Sequence, residues 1–211
     1  MIVFILNIKN PYILKLEQNG ITLETRWKIA LITGASSGIG QGTAILFSKL
    51  GAKLAITGRN DANLKKTADE CEKNGGEKLC VPYLEKTKGS IVIVSSVNGI
   101  RSFPGVIAYC MSKSAVDQFT KCAALELAPK QIRVNSVNPG VIKTEIHKRG
   151  GMDEEAYQKF LERTKITHAL GRPGEVQEVA GMIAFLASDD SSFITGTQVP
   201  IDGGRHCICP R

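Results

Sequence analysis

Short apolar runs alternate along this chain with longer segments in which apolar residues recur at helical spacing. The short runs are rich in β-branched residues and predict buried strands at residues 29–33, 53–57, 91–94, 131–137 and 198–201. The helical spacing predicts helices at residues 40–50, 61–73, 108–128, 153–163 and 175–187. Because strands and helices alternate, the sequence predicts an α/β fold with a Rossmann-like, doubly wound parallel sheet in three layers.

Composition narrows the class of protein without changing this fold. The chain has 211 residues, of which 43% are hydrophobic and 22% charged, which is typical of one globular domain. Its net charge of +7 makes nucleic acid a candidate partner, but the basic residues are scattered singly and in pairs and form no basic run. We therefore expect a small ligand that carries phosphate, and no nucleic-acid partner.

The start of the chain, MIVFILNIKNPYILKL, is apolar but interrupted by Asn7, Lys9, Asn10 and Pro11. It is too short to span a bilayer and lacks the basic region and cleavage site of a signal peptide. We expect residues 1–26 to be an extension, either an appended strand or a loosely ordered segment, before a single domain at 27–211. No other stretch has the length of a membrane span, so the prediction is a cytoplasmic protein without membrane contact.

The cysteines are spread without the spacing of a disulfide framework, as in a reduced intracellular protein. Cys207 and Cys209 follow His206 at the tail and raise the possibility of a metal site. A structural zinc site needs a second pair of ligands that this tail does not supply. The prediction is a solvent-exposed tail and no metal.

A glycine-rich segment, TGASSGIG, lies between the first domain strand and its helix. Residues without Cβ let backbone amides approach a pyrophosphate at the start of a helix, so this turn predicts dinucleotide binding. Its candidate cofactor-binding residues are Gly34, Ser36, Ser37, Gly38, Ile39 and Gly40. The next strand ends at Arg59 rather than at an acidic residue, which favours NADP(H) over NAD(H), because arginine pairs with a 2′-phosphate. The alternative is that Arg59 is a solvated surface charge.

Tyr109 and Lys113 are four residues apart and therefore share one face of the predicted long helix. An ammonium group one turn away favours ionisation of a phenol, so Tyr109 becomes able to exchange a proton with an alcohol or carbonyl oxygen. Such a pair alone is usually a chance surface feature. Ser96, however, follows a central strand at the edge where doubly wound sheets bind ligands, and its hydroxyl can position a substrate oxygen.

Taken together, these segments resemble the short-chain dehydrogenase/reductase family, in its FabG-like and carbonyl reductase branch. The segments that carry the resemblance are TGASSGIG, Ser96, YCMSK, VNPGVIKT and IDGG. The resemblance implies interconversion of alcohol and carbonyl with NAD(P)(H), with Ser96, Tyr109 and Lys113 as catalytic residues and the last two also contacting the cofactor. It further implies that Pro139, Gly140, Val141 and Thr144 enclose the nicotinamide and that residues 145–172 cover the substrate. His147 and His168 are expected on the surface of that cover, and members of the family form homo-oligomers.

One segment departs from the family pattern. Only residues 82–89 connect the third strand to the serine strand, and a helical crossover needs about ten to twelve residues. Relatives carry a helix, a central strand and a second helix there, so the chain is predicted to lack all three between about Cys80 and Pro82. Exon skipping, a splice variant or a faulty gene model would each join the two sides in this way.

The predicted deletion removes the strand that would separate the first domain strand from the serine strand. Either those two strands pair directly, or an open slot remains between them, or the chain fails to fold. The missing helix also carries the family's catalytic asparagine and half of its dimer interface, so oligomerisation is in doubt. Two functions follow from the sequence: an NADP(H)-dependent oxidoreductase acting on a carbonyl or secondary alcohol, or an impaired, truncated isoform that only binds nucleotide or partner subunits.

Overall fold

The computed structural model describes residues 2–7, 16–17, 20–21, 28–58, 60–73 and 88–209. The strands are β1 (Ile2–Asn7), β2 (Leu16–Glu17), β3 (Gly20–Ile21), β4 (Lys28–Thr33), β5 (Lys53–Thr57), β6 (Ser90–Val94), β7 (Arg133–Pro139) and β8 (Gln198–Ile201). The helices are α1 (Gly38–Lys49), α2 (Asp61–Lys73), α3 (Val97–Ile100), α4 (Ile107–Leu127), α5 (Ile146–Arg149), α6 (Glu154–Glu162), α7 (Thr164–Thr167) and α8 (Val176–Ala187). The domain strands and helices predicted from the pattern are confirmed, with ends displaced by at most two residues.

The main sheet places the strand from the start of the chain at its centre. Six strands follow the order β5-β4-β1-β6-β7-β8, while β2 and β3 form a separate pair. β1 runs antiparallel to both of its neighbours, with Val3 opposite Ile32 of β4 and opposite Val92 of β6. The other pairings of the main sheet are parallel. The predicted parallel pairing is therefore confirmed wherever the predicted strands pair with one another. The antiparallel β1 makes the sheet as a whole mixed.

The position of β1 also shows that two expectations for the predicted gap, direct pairing of the flanking strands and an open slot between them, are wrong. β4 and β6 neither pair with each other nor leave an open slot, because β1 lies between them. Of the two alternatives for the extension, the appended strand is correct for Ile2–Asn7, although this strand lies in the middle of the sheet and not at an edge. A buried backbone group without a partner costs about 1–3 kcal/mol, so pairing along both inner edges removes a large penalty.

Two apolar clusters lie on opposite faces of the sheet, as a three-layer architecture requires. Along β6 the side chains alternate: Val92 joins the cluster that contains Phe47 of α1 and Ile183 of α8. Ile91 and Ile93 join the second cluster, which also contains residues of α4 and, at and before β7, Ile132 and Val134. This alternation is the two-residue period of a strand that is buried on both faces.

The segment predicted to cover the substrate is folded into the short helices α5, α6 and α7. Asp153 caps α6 by accepting a hydrogen bond of 2.8 Å from the amide of Ala156. The hydroxyl of Tyr157 donates to the carbonyl oxygen of Thr144 at 3.1 Å and so attaches α6 to the loop after β7. Among the residues described here, no helix combines the length and apolar character needed to cross a membrane.

Candidate active site

The glycine-rich turn joins β4 to α1 and is fixed by contacts from two other elements. Gly34 and Gly38 have positive φ angles of 70° and 57°, a conformation that other residues rarely adopt. The amide of Ala35 donates a hydrogen bond of 3.0 Å to the carbonyl oxygen of Thr57. The carbonyl oxygen of Ala35 in turn accepts a hydrogen bond of 3.0 Å from the hydroxyl of Thr67. β5 and α2 therefore hold the turn in one shape.

The residues around this turn fit a dinucleotide. A Cβ atom on Gly38 would lie 3.4 Å from Cγ2 of Thr144, so the loop after β7 reaches the start of α1. A Cβ atom on Gly58 would lie 2.8 Å from Oγ of Ser36, so the end of β5 also closes on the turn. Helix α1, which has twelve residues, begins at this turn and brings the amides of its first turn to it. A pyrophosphate would be bound by such an arrangement.

Each predicted cofactor residue of the turn lies at this position. Ser36 is buried, Ser37 is the N-cap residue of α1, and Ile39 and Gly40 belong to its first turn. Arg59, on which the choice of NADP(H) depends, lies outside the described residues.

Ser96 lies where β6 ends and α3 begins. The amide of Ser95 donates to the carbonyl oxygen of Val137 at 2.9 Å, which continues the β6–β7 ladder up to this point. Ser96 caps α3, since its Oγ accepts a hydrogen bond of 3.2 Å from the amide of Asn98. Its hydroxyl also lies 3.3 Å from Oδ1 of Asn98, so the side chain is held between two groups of the same turn.

Helix α4 brings Lys113 to the same end of β6. Its Nζ donates to the carbonyl oxygen of Val94 at 3.3 Å and lies 5.6 Å from the centre of the Tyr109 ring. Burial lowers the pKa of Lys113, while the nearby carboxylate of Asp117 acts in the opposite direction. Tyr109 is 47% exposed, so its ring is open to a ligand. The structure thus places Lys113 and Tyr109 together above the end of the strand that leads to Ser96.

A buried polar network lies beneath these groups, and sequence analysis did not identify it. Nδ2 of Asn138 donates to Oδ2 of Asp117 at 2.8 Å and to the backbone oxygen of Ser96 at 2.9 Å. Ser136 extends the network with a longer contact of 3.5 Å to Oδ1 of Asp117. Asp117 is only 5% exposed although it is charged, and it follows Lys113 by one helical turn. The spacing from Lys113 was the one sign in the sequence that Asp117 faces inward. A carboxylate on the inward face of a helix needs hydrogen-bond partners, so this spacing could have indicated the network.

The loop after β7 carries the other predicted cofactor residues. Pro139 ends β7, and the amide of Gly140 donates to the carbonyl oxygen of Ile201 at 3.0 Å. The amide of Val141 donates to Nε2 of His168 at 3.2 Å. His168 is 2% exposed, and burial lowers its pKa, which keeps the ring neutral and able to accept this bond. The expectation of a surface histidine is therefore wrong for His168, which fixes the loop from within.

The fold and this geometry indicate a class of protein: α/β proteins with a glycine-rich turn after one strand of the sheet and a serine, a tyrosine and a lysine near the end of another. Comparison with family models supports this classification. Residues 28–83 match the model described as short chain dehydrogenase, and residues 77–206 match the one described as Enoyl-(Acyl carrier protein) reductase. The chain belongs to the short-chain dehydrogenase/reductase family, whose members use NAD(P) cofactors.

Individual relatives place the chain within this family. It is 33% identical to the 3-oxoacyl-[acyl-carrier-protein] reductase FabG of Thermotoga maritima, with 84% of this chain and 97% of that enzyme covered. It is 45% identical to the meso-2,3-butanediol dehydrogenase of Serratia marcescens over 60% of this chain, and the match spans about half (48%) of that enzyme. A solved short-chain dehydrogenase/reductase from Caenorhabditis elegans, described as of unknown function and with cofactor, superposes with a TM-score of 0.78 at 27% identity. That superposition covers 86% of this chain and 95% of the other.

Proposed function

We propose that this protein is an NADP(H)-dependent oxidoreductase that transfers hydride between the cofactor and a carbonyl or secondary alcohol. The observation that carries the proposal is the position of Lys113. Its Nζ is bound to the backbone at the end of β6 and lies 5.6 Å from the Tyr109 ring, beside the strand that leads to Ser96. A serine, a phenol and an ammonium at one edge of a dinucleotide-binding sheet are what alcohol–carbonyl exchange requires.

Each side chain then has a distinct role. Tyr109 donates its phenolic proton to the carbonyl oxygen during reduction and recovers it from the alcohol during oxidation. The Lys113 ammonium stabilises the negative charge that develops on the phenolic oxygen. Ser96, held by the turn of α3, donates a hydrogen bond that orients the substrate oxygen. When bound, the nicotinamide supplies or accepts the hydride.

The remaining predicted residues would hold the cofactor. The glycine-rich turn from Gly34 to Gly40 would bind the pyrophosphate, and Thr144 lies beside that turn. The nicotinamide end would be contacted by Pro139, Gly140 and Val141. The backbone of this loop is held in place by hydrogen bonds to His168 and to β8. Arg59 and Ser37 would bind the 2′-phosphate, which is the basis for preferring NADP(H).

Two observations support the predicted internal deletion. The alignment with FabG extends over 244 positions, although this chain has 211 residues. The two family models meet at residues 77–83, next to the predicted junction. The alternative function, nucleotide binding without turnover, follows from the same deletion because the family's catalytic asparagine would be lost with it.

The purified protein can be tested with NADPH and a panel of small ketones. We expect ketone-dependent oxidation of NADPH, and Tyr109→Phe should lower the turnover number about a hundredfold or more, because that variant lacks the general acid. Tyr157→Phe is the matched control: it loses the same hydroxyl from α6, where that group bonds only the backbone of Thr144 among the described contacts. Its turnover number at saturating NADPH should stay close to that of the wild type.

The other outcomes separate the two functions. Enhanced NADPH fluorescence without turnover in the wild type would support the impaired isoform. Absence of both would overturn the nucleotide site itself.

A further inference from the structure

A second cluster of reactive side chains lies beyond β8, in the tail that carries Cys207. Asp202 is 5% exposed and accepts backbone hydrogen bonds from Gly204 at 3.0 Å and from His206 at 2.7 Å. These bonds fold the chain into a tight turn around the carboxylate. The turn returns the His206 side chain to the same carboxylate.

The three side chains form a linear relay. Nδ1 of His206 lies 2.9 Å from Oδ2 of Asp202, and Nε2 of the same ring lies 2.9 Å from Sγ of Cys207. A nucleophile, a base and a carboxylate that orients the base, in this order, form the arrangement that activates thiols and hydroxyls in nucleophilic catalysis. The carboxylate sets the ring so that Nε2 can accept the thiol proton.

The same geometry argues against a metal site. The sulfur and the carboxylate contact opposite nitrogens of the ring, so they cannot converge with it on one ion. Within the ranges that the structure describes, no group of three or more Cys, His, Asp or Glu residues is arranged to hold a metal.

The backbone that carries the relay is attached to the body of the protein. Nη1 of Arg101, just after α3, donates to the carbonyl oxygens of Arg205 at 2.8 Å and of Ile208 at 2.6 Å. The Arg205 guanidinium lies 4.4 Å from the centre of the Phe103 ring. The tail is exposed to solvent at Cys207, as expected, but its backbone is held against the rest of the protein. These contacts keep the three side chains of the relay in position.

We propose that Cys207 is a modification site that reacts with small-molecule disulfides by thiol–disulfide exchange. His206 takes the proton of the Cys207 thiol as the sulfur attacks one sulfur of the disulfide. One S–S bond forms to Cys207, the original S–S bond breaks, and the departing thiolate receives the proton from His206. The disulfide is the only co-reactant: Cys207 is oxidised, and the departing sulfur is reduced to a thiol.

Room for the incoming group adjoins the relay. A cavity of about 280 Å³ is lined by His206 and Asp202 of the relay and, among other residues, by Leu170 and Arg172. The Arg172 guanidinium is paired with Glu178 at 2.6 and 2.9 Å, which balances its charge. The site should therefore accept an uncharged disulfide.

The test uses the full chain with dithiodipyridine, followed by peptide mass spectrometry to measure the reaction rate at each cysteine. Cys122 and Cys209, which are also exposed, are internal controls without an Asp–His relay in the described contacts, and Cys71 is a buried control. We expect Cys207 to react at least about tenfold faster than either exposed control, because, of these three described thiols, Cys207 alone has a neighbouring imidazole as a general base. His206→Gln should reduce the Cys207 rate to that of Cys209 and leave the Cys122 rate unchanged.

The comparison within the wild type does not depend on how any variant folds. A Cys207 rate no greater than that of Cys209 would overturn the proposal. So would a His206→Gln variant that melts like the wild type and keeps the fast reaction. Neither result bears on NADPH oxidation, so this site and the proposed function are tested separately.

Discussion

The two halves of the main sheet are built differently, and β1 lies between them. The half with the proposed cofactor site, called the nucleotide half, consists of β4 and β5 with α1 and α2, and its chain is continuous through the glycine-rich turn. The half with the proposed catalytic residues, called the catalytic half, consists of β6, β7 and β8. Its buried Asp117–Asn138 network fixes the end of β6 that leads to Ser96. Each half is internally parallel, whereas both junctions with β1 are antiparallel.

This difference shows that the structure within each half and the placement of the two halves relative to each other depend on different contacts. Most contacts that shape the glycine-rich turn and the site around Lys113 come from elements of their own half. The relative placement of the two halves depends mainly on the β1 ladders and on the packing of α1 against α8. Thr144, in the loop after β7, adds a contact across the halves at Gly38. Breaking a junction should therefore affect the whole molecule, whereas changes inside one half should act locally.

The largest effect is expected from Ile5→Pro in the middle of β1. Ile5 lies opposite Ala30 of β4 and opposite Ser90 of β6, so its backbone is enclosed on both sides. Proline removes the amide hydrogen and its ring disrupts the ladder. Each buried backbone group that is left without a partner then costs about 1–3 kcal/mol. Since domains are stable by only about 5–15 kcal/mol, the urea midpoint should fall sharply or the cooperative transition should disappear.

Ile5→Val is the matched control for this variant. It keeps the amide hydrogen and a β-branched side chain, so its urea transition should stay near that of the wild type. Equal midpoints for Ile5→Pro and the wild type would place β1 outside the sheet.

Each half of the sheet could be predicted from the sequence, but the junction between the halves could not. β5 and α2 have the bounds predicted from the apolar pattern, because buried strands and capped helices have local signals. The position of β1 had no such signal. A short apolar run predicts a strand, but its partners and its direction depend on which sheet edges the rest of the chain leaves available.

The site shows the same division. The spacing of Tyr109 and Lys113 is visible in the sequence, and the structure places both beside β6. The network of Asp117 and Asn138 joins residues that are 21 positions apart, so only the folded chain brings them into contact. Burial of His168 was missed for the same reason, since its partner, Val141, belongs to another loop.

An intermediate effect is expected at the second junction between the halves. A Cβ atom on Gly42 of α1 would lie 2.2 Å from Cγ1 of Val176, the first residue of α8. Gly42→Ala should therefore force the helices apart and lower the free energy of unfolding by about 1–3 kcal/mol, as overpacking does. Denaturant unfolding measures this change directly.

Gly181→Ala on α8 provides the matched control. A Cβ atom there meets nothing within 4 Å, so the variant should gain about 0.5–1 kcal/mol from a better helix former. If the clash is the cause, adding Val176→Ala to Gly42→Ala should recover most of the loss. No recovery in the double variant would mean that Gly42 does not limit the approach of the two helices.

The smallest effect is expected from a change that stays inside the catalytic half, Asp117→Asn. Burial lowers the pKa of Lys113, and Asp117 partly offsets that effect by raising it. Removing the negative charge should lower the pKa of Lys113 further, so the ammonium is lost at a lower pH. If the proposed reaction needs that ammonium, the alkaline limb of the pH–rate profile should move to lower pH.

The amide retains one oxygen for the bond from Asn138, and its new NH₂ group can donate to the Ser136 hydroxyl, so the fold and its melting temperature should change little. Asp190→Asn removes the same charge from an exposed turn after α8 and should leave the limb in place. A limb that does not move in Asp117→Asn, or that moves equally in Asp190→Asn, would argue that Lys113 is not the group titrating there. A shift confined to Asp117→Asn, with unfolding unchanged, would separate tuning of the site from the stability that the two junctions provide.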